Sequence, residues 1–312
     1  MSRYLVTGGA GFIGSHIVDE LVRRGESVRV LDNFTTGRRE NLSAVIDKID
    51  LIEGDIRDLE VCKKAAKCID FVLHQAALRS VPKSMSDPIG YNEVNVSGML
   101  NILVAARDNK VKRVVFASSS SVYGDTNKLP EKETDPTNPI SVYAATKLTG
   151  EHYCKVFSAG FGLEAVALRY FNVFGPRQSL ESEYAVVVPK FITCILNDQS
   201  PPIHGDGRQS RDFTYVKNVV DMNLLAATSN NNSGEVFKVA CGKAYTVLEL
   251  AEKVNQLIGK NIKPIFMPRR QGDVLYTLAD ISKAKKSLGF NPGVDFEEGL
   301  KRTIEWFRKN PA

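Results

Sequence analysis

The glycine-rich stretch near the N-terminus constrains this chain more than any other. Arg3-Tyr4-Leu5-Val6 reads as a buried strand, and Thr7-Gly8-Gly9-Ala10-Gly11-Phe12-Ile13-Gly14 leads from it into a helix through Ser15 to Val22. A strand that turns through glycines into a helix N-terminus points backbone N–H groups outward. The helix dipole favours an anion there, so the turn suits a phosphate. The spacing is G-x-x-G-x-x-G: Gly8 for the tight turn, Gly11 for close backbone approach, Gly14 for packing the helix on the strand. An ordinary βα turn also carries glycines. The weight comes from position, because the strand before and the amphipathic helix after are both legible.

Gly25 closes that helix, and Ser27-Val28-Arg29-Val30-Leu31 forms a second strand ending in Asp32-Asn33. A carboxylate at the tip of the second strand of a βαβ unit accepts both hydrogen bonds of an adenosine ribose diol and repels a 2′-phosphate. Asp32 therefore favours NAD over NADP, although Arg38 and Arg39 just beyond pull the other way. Further strands read at 50–55, with Asp55 at its end, and at 70–74, 112–117 and 163–168. Helices read from the Asp58 cap to Lys67, from Pro88 to Asp108, and from Ile140 to Ala159. After the fourth strand, Gln75-Ala76-Ala77 offers small residues against which a cofactor can lie. Strands alternating with helices make the chain α/β, with a doubly wound parallel sheet.

The pattern loosens after residue 169. Tyr170 to Pro176 reads as a loop, 187–196 as a helix, 213–215 as strand-like, and 217–227, 246–258 and 295–308 as helices. This divides the chain into a nucleotide domain at 1–169, with return segments near 213–240, and a smaller C-terminal α/β substrate domain at 170–312.

Bulk properties exclude several classes. The net charge of +5 arises from 41 basic and 36 acidic residues spread along 312 positions, without the basic block that nucleic acid demands. The five cysteines show no paired spacing and the four histidines do not cluster, so the reading is buried thiols in a reducing compartment and no metal site. With a strand starting at Arg3 and no apolar run long enough to span a bilayer, a cytoplasmic location is expected.

The candidate chemistry lies at the end of the fifth strand and one helix later. Ser118-Ser119-Ser120-Ser121-Val122-Tyr123-Gly124 stands where open α/β sheets bind ligands. Tyr143-Ala144-Ala145-Thr146-Lys147 then puts Tyr143 and Lys147 one turn apart on one helix face. A phenol with a reference pKa near ~10 is a poor base at neutral pH; a neighbouring ammonium and an oxidised nicotinamide ring both favour its ionised form. A serine hydroxyl opposite would polarise a substrate alcohol. The spacing alone also suits a surface pair. The glycine turn, the acidic second strand and the serine-rich strand end favour chemistry.

Taken together, these motifs resemble the extended short-chain dehydrogenase/reductase family and, within it, the UDP-hexose 4-epimerases, over nearly the whole chain. His74-Gln75-Ala76-Ala77, Asn95-Val96-x-Gly98, Arg169-Tyr170-Phe171-Asn172, Ser210-Arg211-Asp212-Phe213 and Arg270-Gln271-Gly272-Asp273 share in the resemblance. It implies a Rossmann-like fold, Tyr143 as base, Lys147 as its tuner and Ser119 as hydroxyl partner, with Ser118, Ser120 and Ser121 as the other serines in reach. It places Gly8, Gly11, Phe12, Ile13, Gly14, Asp32, Asn33, Gly37, Asp55, Ile56, Gln75, Ala76, Ala77, Asn95, Tyr143, Lys147 and Tyr170 around a tightly held NAD. Around the UDP-sugar it places Lys83, Ser119, Ser120, Ser121, Tyr143, Asn172, Val188, Arg211, Arg270, Asp273 and Thr277.

The implied reaction is 4-epimerisation through a 4-keto sugar, with NAD regenerated in each turnover. The 4,6-dehydratases of the family carry an Asp-Glu pair after the strand-five hydroxyl residue, where this chain has Ser120 and Ser121. Decarboxylation of a uronic acid is harder to exclude, but the usual acid beside the hydroxyl residue is also absent. A non-catalytic NAD-binding scaffold is argued against by the intact Ser119, Tyr143 and Lys147. Thr277 aligns with a gate beside the sugar's C2 substituent, which is a bulky tyrosine in epimerases restricted to glucose and galactose. The expected substrates are therefore UDP-N-acetylhexosamines as well as UDP-glucose and UDP-galactose. The alternative is an epimerase of UDP-glucuronate or UDP-N-acetylglucosaminuronate. The resemblance also implies a homodimer joined through the helices beginning near Pro88 and Ile140.

Overall fold

The computed structural model describes residues 1–126, 128–180, 187–269 and 274–310. Six strands in chain order, β1 (Arg3–Thr7), β2 (Ser27–Asp32), β3 (Ile49–Glu53), β4 (Phe71–His74), β5 (Arg113–Ser119) and β6 (Glu164–Tyr170), join the later strand Val236–Val239 in one sheet. The spatial order is Val236–Val239, β6, β5, β4, β1, β2, β3, and every neighbouring pair is parallel. The order reverses between β1 and β4, so a crevice opens at their carboxyl ends.

Side chains of the sheet alternate between two cores. Tyr4 and Val6 of β1, with Val115 of β5, pack beneath α1 (Phe12–Arg23) through Ile17, Val18 and Leu21. Leu5, Val114 and Phe116 face the other way, onto α2 (Leu59–Ala66) and its neighbours. Both faces are covered, so the central strands are continuously apolar, as parallel strands require. Helix α3 (Val81–Ser86) precedes α4 (Pro88–Asn92), and α5 (Gly98–Asp108) and α6 (Val142–Phe161) share the second face. Helix α7 (Val187–Leu196) belongs to a further core, and α8 (Val216–Thr228) returns under the first face through Val219, Val220 and Met222.

Three local readings differ from the sequence expectation. The helix expected from Pro88 to Asp108 is interrupted by a π-helical turn, Glu93–Ser97, between α4 and α5. Such turns are frequent at functional sites, and the buried residue of this one is Asn95. Tyr170 ends β6 instead of opening a loop, and Val173–Phe174 forms a short parallel pair with Thr214–Tyr215. The later core, built from Phe174, Phe191, Phe213, Leu250, Phe296 and Ile304, takes in Val188 at 2% exposure. No helix among the described residues is long and apolar enough to cross a membrane.

Candidate active site

A cleft of about 400 Å³ runs along the carboxyl ends of the strands. The glycine turn forms one wall. Gly8 adopts φ +67°, and a Cβ there would lie 2.7 Å from the Ala76 nitrogen, so only glycine lets this turn lie on the backbone after β4. A Cβ on Gly14 would lie 2.1 Å from the Gly8 carbonyl oxygen; Gly14 packs the helix on the turn itself, not on the strand. Gly11 is the N-cap of α1 and no side chain caps the first-turn N–H groups. Gly8, Gly11, Phe12, Ile13 and Gly14 all line the cleft, leaving an open cradle for a phosphate.

Asp32, Asn33, Gly37, Asp55 and Ile56 line one end of the cleft. The Asp32 carboxylate is buried and accepts from the backbone N–H groups of Ala10 at 2.9 Å and Phe34 at 2.8 Å, one on each oxygen. Burial raises its pKa and those two bonds oppose the rise. Each oxygen keeps a lone pair for a diol. Asn33 donates to Asp55 at 2.9 Å, and a bond from Arg57 is the main cause that holds Asp55 down at about 2.

Near the other end, Tyr143 and Lys147 line the cleft together with Gln75, Ala76, Ala77 and Tyr170. Ser119 ends β5, pairs with the Tyr143 phenol, and accepts from the Ser121 hydroxyl at 2.9 Å and the Ser121 N–H at 3.2 Å. Ser118 is engaged elsewhere: its hydroxyl donates to Glu151 at 2.5 Å. Among the four serines, Ser119 is thus the one set against the phenol.

Lys147 lies over the Tyr143 ring, 5.9 Å from its centroid, and is held by another bond. The Lys147 ammonium donates to the Ala117 carbonyl at 2.7 Å, and burial lowers its pKa to about 7. Burial also raises Tyr143; the Ser119 bond and the Arg79 guanidinium act against that rise. Arg79, a cleft residue on a segment pinned from both sides, is a cation that lowers the phenol's pKa. The Tyr91 phenol accepts from the Ser80 N–H at 3.0 Å, and Asn95 takes the N–H of Leu78 at 2.8 Å and donates to its carbonyl at 2.9 Å. Asn95 also reaches Thr146 at 3.1 Å. It is 3% exposed and braces the wall of the cleft.

The residues expected around a sugar nucleotide are less uniformly placed. Asn172, held at φ +35°, donates to the Thr277 hydroxyl at 2.9 Å, and that hydroxyl also accepts from the Asp212 N–H at 3.3 Å. Arg211 donates to the Leu275 carbonyl at 2.9 Å, tying in the segment that carries Thr277. Val188 is a core side chain, and Lys83 is exposed on α3 outside the cleft lining. Ser120 and Ser121 are half-buried, as Ser119 is. Arg270 and Asp273 lie outside the described residues.

Sequence reasoning passed over Glu151 and Asn223. Glu151 stands one turn beyond Lys147 and takes a forked pair of bonds from Arg169 at 2.9 and 2.7 Å; both side chains are almost fully buried. Asn223, on α8, contacts Gln75 and Tyr170 from behind the cleft. The signal for Glu151 was present, since it continues the Tyr143–Lys147 face. Asn223 sits among apolar neighbours on a stretch read only as a helix.

A model of the NAD dependent epimerase/dehydratase family matches residues 4–240. The chain is 42% identical over 308 residues to a putative UDP-glucose 4-epimerase of Methanocaldococcus jannaschii, covering 98% of each chain. It superposes with a TM-score of 0.95 on the UDP-N-acetylglucosamine 4-epimerase of Methanobrevibacter ruminantium in complex with UDP-N-acetylmuramic acid, at 44% identity over 99% of this chain and 98% of that one. The Thermus thermophilus UDP-glucose 4-epimerase in complex with NAD gives 0.90, at 38% identity and 99% coverage of both.

Proposed function

Because the chain belongs to the NAD dependent epimerase/dehydratase family, we propose that it interconverts UDP-sugars at C4 with a resident NAD, accepting N-acetylated hexoses as well as glucose and galactose. One observation carries this reading: the Tyr143 phenol, paired with Ser119, stands in the same cleft as the uncapped glycine turn. The cleft residues suit NAD, with the open N–H groups after Gly11 for the diphosphate, Asp32 for the adenosine diol, and the backbone at Ala76 and Ala77 for close approach. The likeness to the Methanobrevibacter enzyme and the small Thr277 side chain support the acetylated substrates.

Within this reading, Tyr143 accepts the proton of the sugar 4-hydroxyl, and Ser119 holds both oxygens at hydrogen-bond distance. Bound NAD supplies reversible two-electron chemistry at C4. After the 4-keto sugar turns over, Tyr143 returns the proton to the oxygen on the other face. Arg79 favours the phenolate, and Asp32 and Asn33 orient the adenosine end. Asn172, Arg211 and Thr277, with Arg270 and Asp273, are assigned to the sugar nucleotide, and 170–312 to its domain. A uronic acid substrate is the second reading, favoured by Arg79 on the cleft wall, where a guanidinium would meet a carboxylate.

We further infer a homodimer through α4, α5 and α6, where Ile89 is 72% and Val156 53% exposed. Its expected setting is the cytoplasm, which suits the free thiols of Cys62, Cys68, Cys154, Cys194 and Cys241. The test is to denature the purified protein, quantify released NAD, and compare UDP-glucose, UDP-N-acetylglucosamine and their uronic acids as substrates. Protein without NAD and without turnover on any of them would return the scaffold reading.

A further inference from the structure

Gln75, Tyr170 and Asn223 close a ring of three hydrogen bonds, and we propose that this ring sets how long the dinucleotide stays bound, with Asn223 as its positioning residue. The Gln75 amide nitrogen donates to the Asn223 oxygen at 3.0 Å, the Asn223 nitrogen donates to the Tyr170 oxygen at 2.8 Å, and the Tyr170 hydroxyl donates to the Gln75 oxygen at 3.1 Å. In this arrangement each member donates once and accepts once within the ring, and the Asn223 oxygen, also 3.1 Å from the Tyr170 hydroxyl, is a second acceptor for it. The second Asn223 N–H goes to the Val219 carbonyl at 2.8 Å, which fixes the amide against a flip, because the reverse would set its oxygen against that carbonyl and its NH2 against the Gln75 NH2.

The ring joins three separate parts of the chain. Gln75 follows β4, Tyr170 ends β6, and Asn223 comes from α8. Gln75 and Tyr170 line the cleft, whereas Asn223 is fully buried and does not. A ligand in the cleft therefore meets the ring from one side only, and α8 holds it from the other. One N–H of Gln75 remains beyond the ring's needs and is available to the bound molecule. Without Asn223, the Tyr170 hydroxyl has no donor directed at it, and the Gln75 amide loses the acceptor that orients it. The cleft wall then becomes two side chains with several rotamers where it had one.

The inference rests on NAD as the resident cofactor, and its test separates the two. Wild-type, Asn223→Leu and Asn223→Asp proteins are loaded with NAD and chased with excess unlabelled NAD, and release is timed by rapid filtration. Leu removes every ring bond of that position; Asp keeps the acceptor for Gln75 and loses the donor to Tyr170. Asn223→Leu should release NAD about tenfold faster or more, the scale of one buried hydrogen bond, with Asn223→Asp between it and wild type. Tyr170→Phe combined with Asn223→Leu should add little to either alone, because both break the same ring. Release at the wild-type rate from both position-223 variants overturns the proposal, as does a lowered melting temperature with unchanged release. If Leu does not fold, the Asp variant decides. Wild-type protein that neither retains nor rebinds NAD overturns the cofactor reading itself.

Discussion

Lys147 and Tyr143 stand one helical turn apart on α6, yet the Lys147 ammonium donates to the Ala117 carbonyl at 2.7 Å and lies 5.9 Å from the centroid of the Tyr143 ring. The phenol's nearest electrostatic help comes from Ser119 and Arg79, and burial outweighs both. A base that must ionise from a raised pKa is more active as pH rises towards that value. The kcat/KM profile should therefore climb through the neutral range. Arg79→Ala removes a cation that lowers the phenol's pKa, so the rising limb should move to higher pH and the rate at neutral pH should fall. An unmoved profile would separate Arg79 from the base.

Lys147 also has a stability signature. Burial lowers its pKa from 10.5 to about 7, so between those values the unfolded chain binds a proton that the folded chain lacks. Stability then increases with pH across this window, by up to about 1.4 kcal/mol per pH unit from this group alone. Other groups titrate nearby, so the readout is a difference. Urea denaturation of wild type and Lys147→Met at a series of pH values should give a gap that grows in favour of wild type as pH rises from 7 towards 10.5. A gap independent of pH would mean that Lys147 folds with its proton on.

The buried pair of Glu151 and Arg169 links α6 to β6, and Ser118 joins it from β5. Ser118 and Arg169 are register partners in the sheet, one residue before Ser119 and Tyr170. Truncating one partner leaves the other charge buried and unpaired, so Glu151→Ala should destabilise by about 3–5 kcal/mol. Glu151→Met with Arg169→Met should be much milder, because neither charge is then stranded. Chemical denaturation of the three proteins checks the ordering; equal losses would show that packing, not charge, governs this site.

The sheet was legible because parallel strands announce themselves as apolar runs, bounded by a glycine or an acid on at least one side in β1 to β4 and β6 and by Lys112 and a run of serines in β5. The glycine turn, Asp32 and the Tyr143–Lys147 spacing were readable for the same reason, since local geometry ties each to its function. The remainder depended on contacts distant in sequence. Nothing near Lys147 announces that the Ala117 carbonyl will take its proton donor, and nothing near Asn223 points to Gln75, 148 residues away. The π-turn at Glu93–Ser97 hid in a helical run for a similar reason. Asn95 within it reaches Leu78 and Thr146, contacts that spacing within the helix does not encode. Val188 read as a contact by alignment, whereas its burial among Phe174, Phe191 and their neighbours is a tertiary fact.

Thr277 permits a separation of size from hydrogen bonding at the proposed substrate gate. Its hydroxyl accepts from the Asn172 amide at 2.9 Å, and Asn172 holds φ +35°, a conformation that needs support from its surroundings. Thr277→Val keeps the shape and removes the acceptor. It should weaken UDP binding and lower kcat/KM for acetylated and plain sugars by one common factor, roughly 5- to 10-fold for one lost buried hydrogen bond. Thr277→Ser should restore most of that loss. Thr277→Tyr adds bulk instead, and should lose UDP-N-acetylglucosamine before UDP-glucose. Calorimetric titration with UDP and parallel kinetics on both sugars distinguish the outcomes. If Thr277→Val shifts the ratio between the sugars, the hydroxyl acts on the acetamido group directly; if Thr277→Tyr leaves the ratio unchanged, position 277 is no gate.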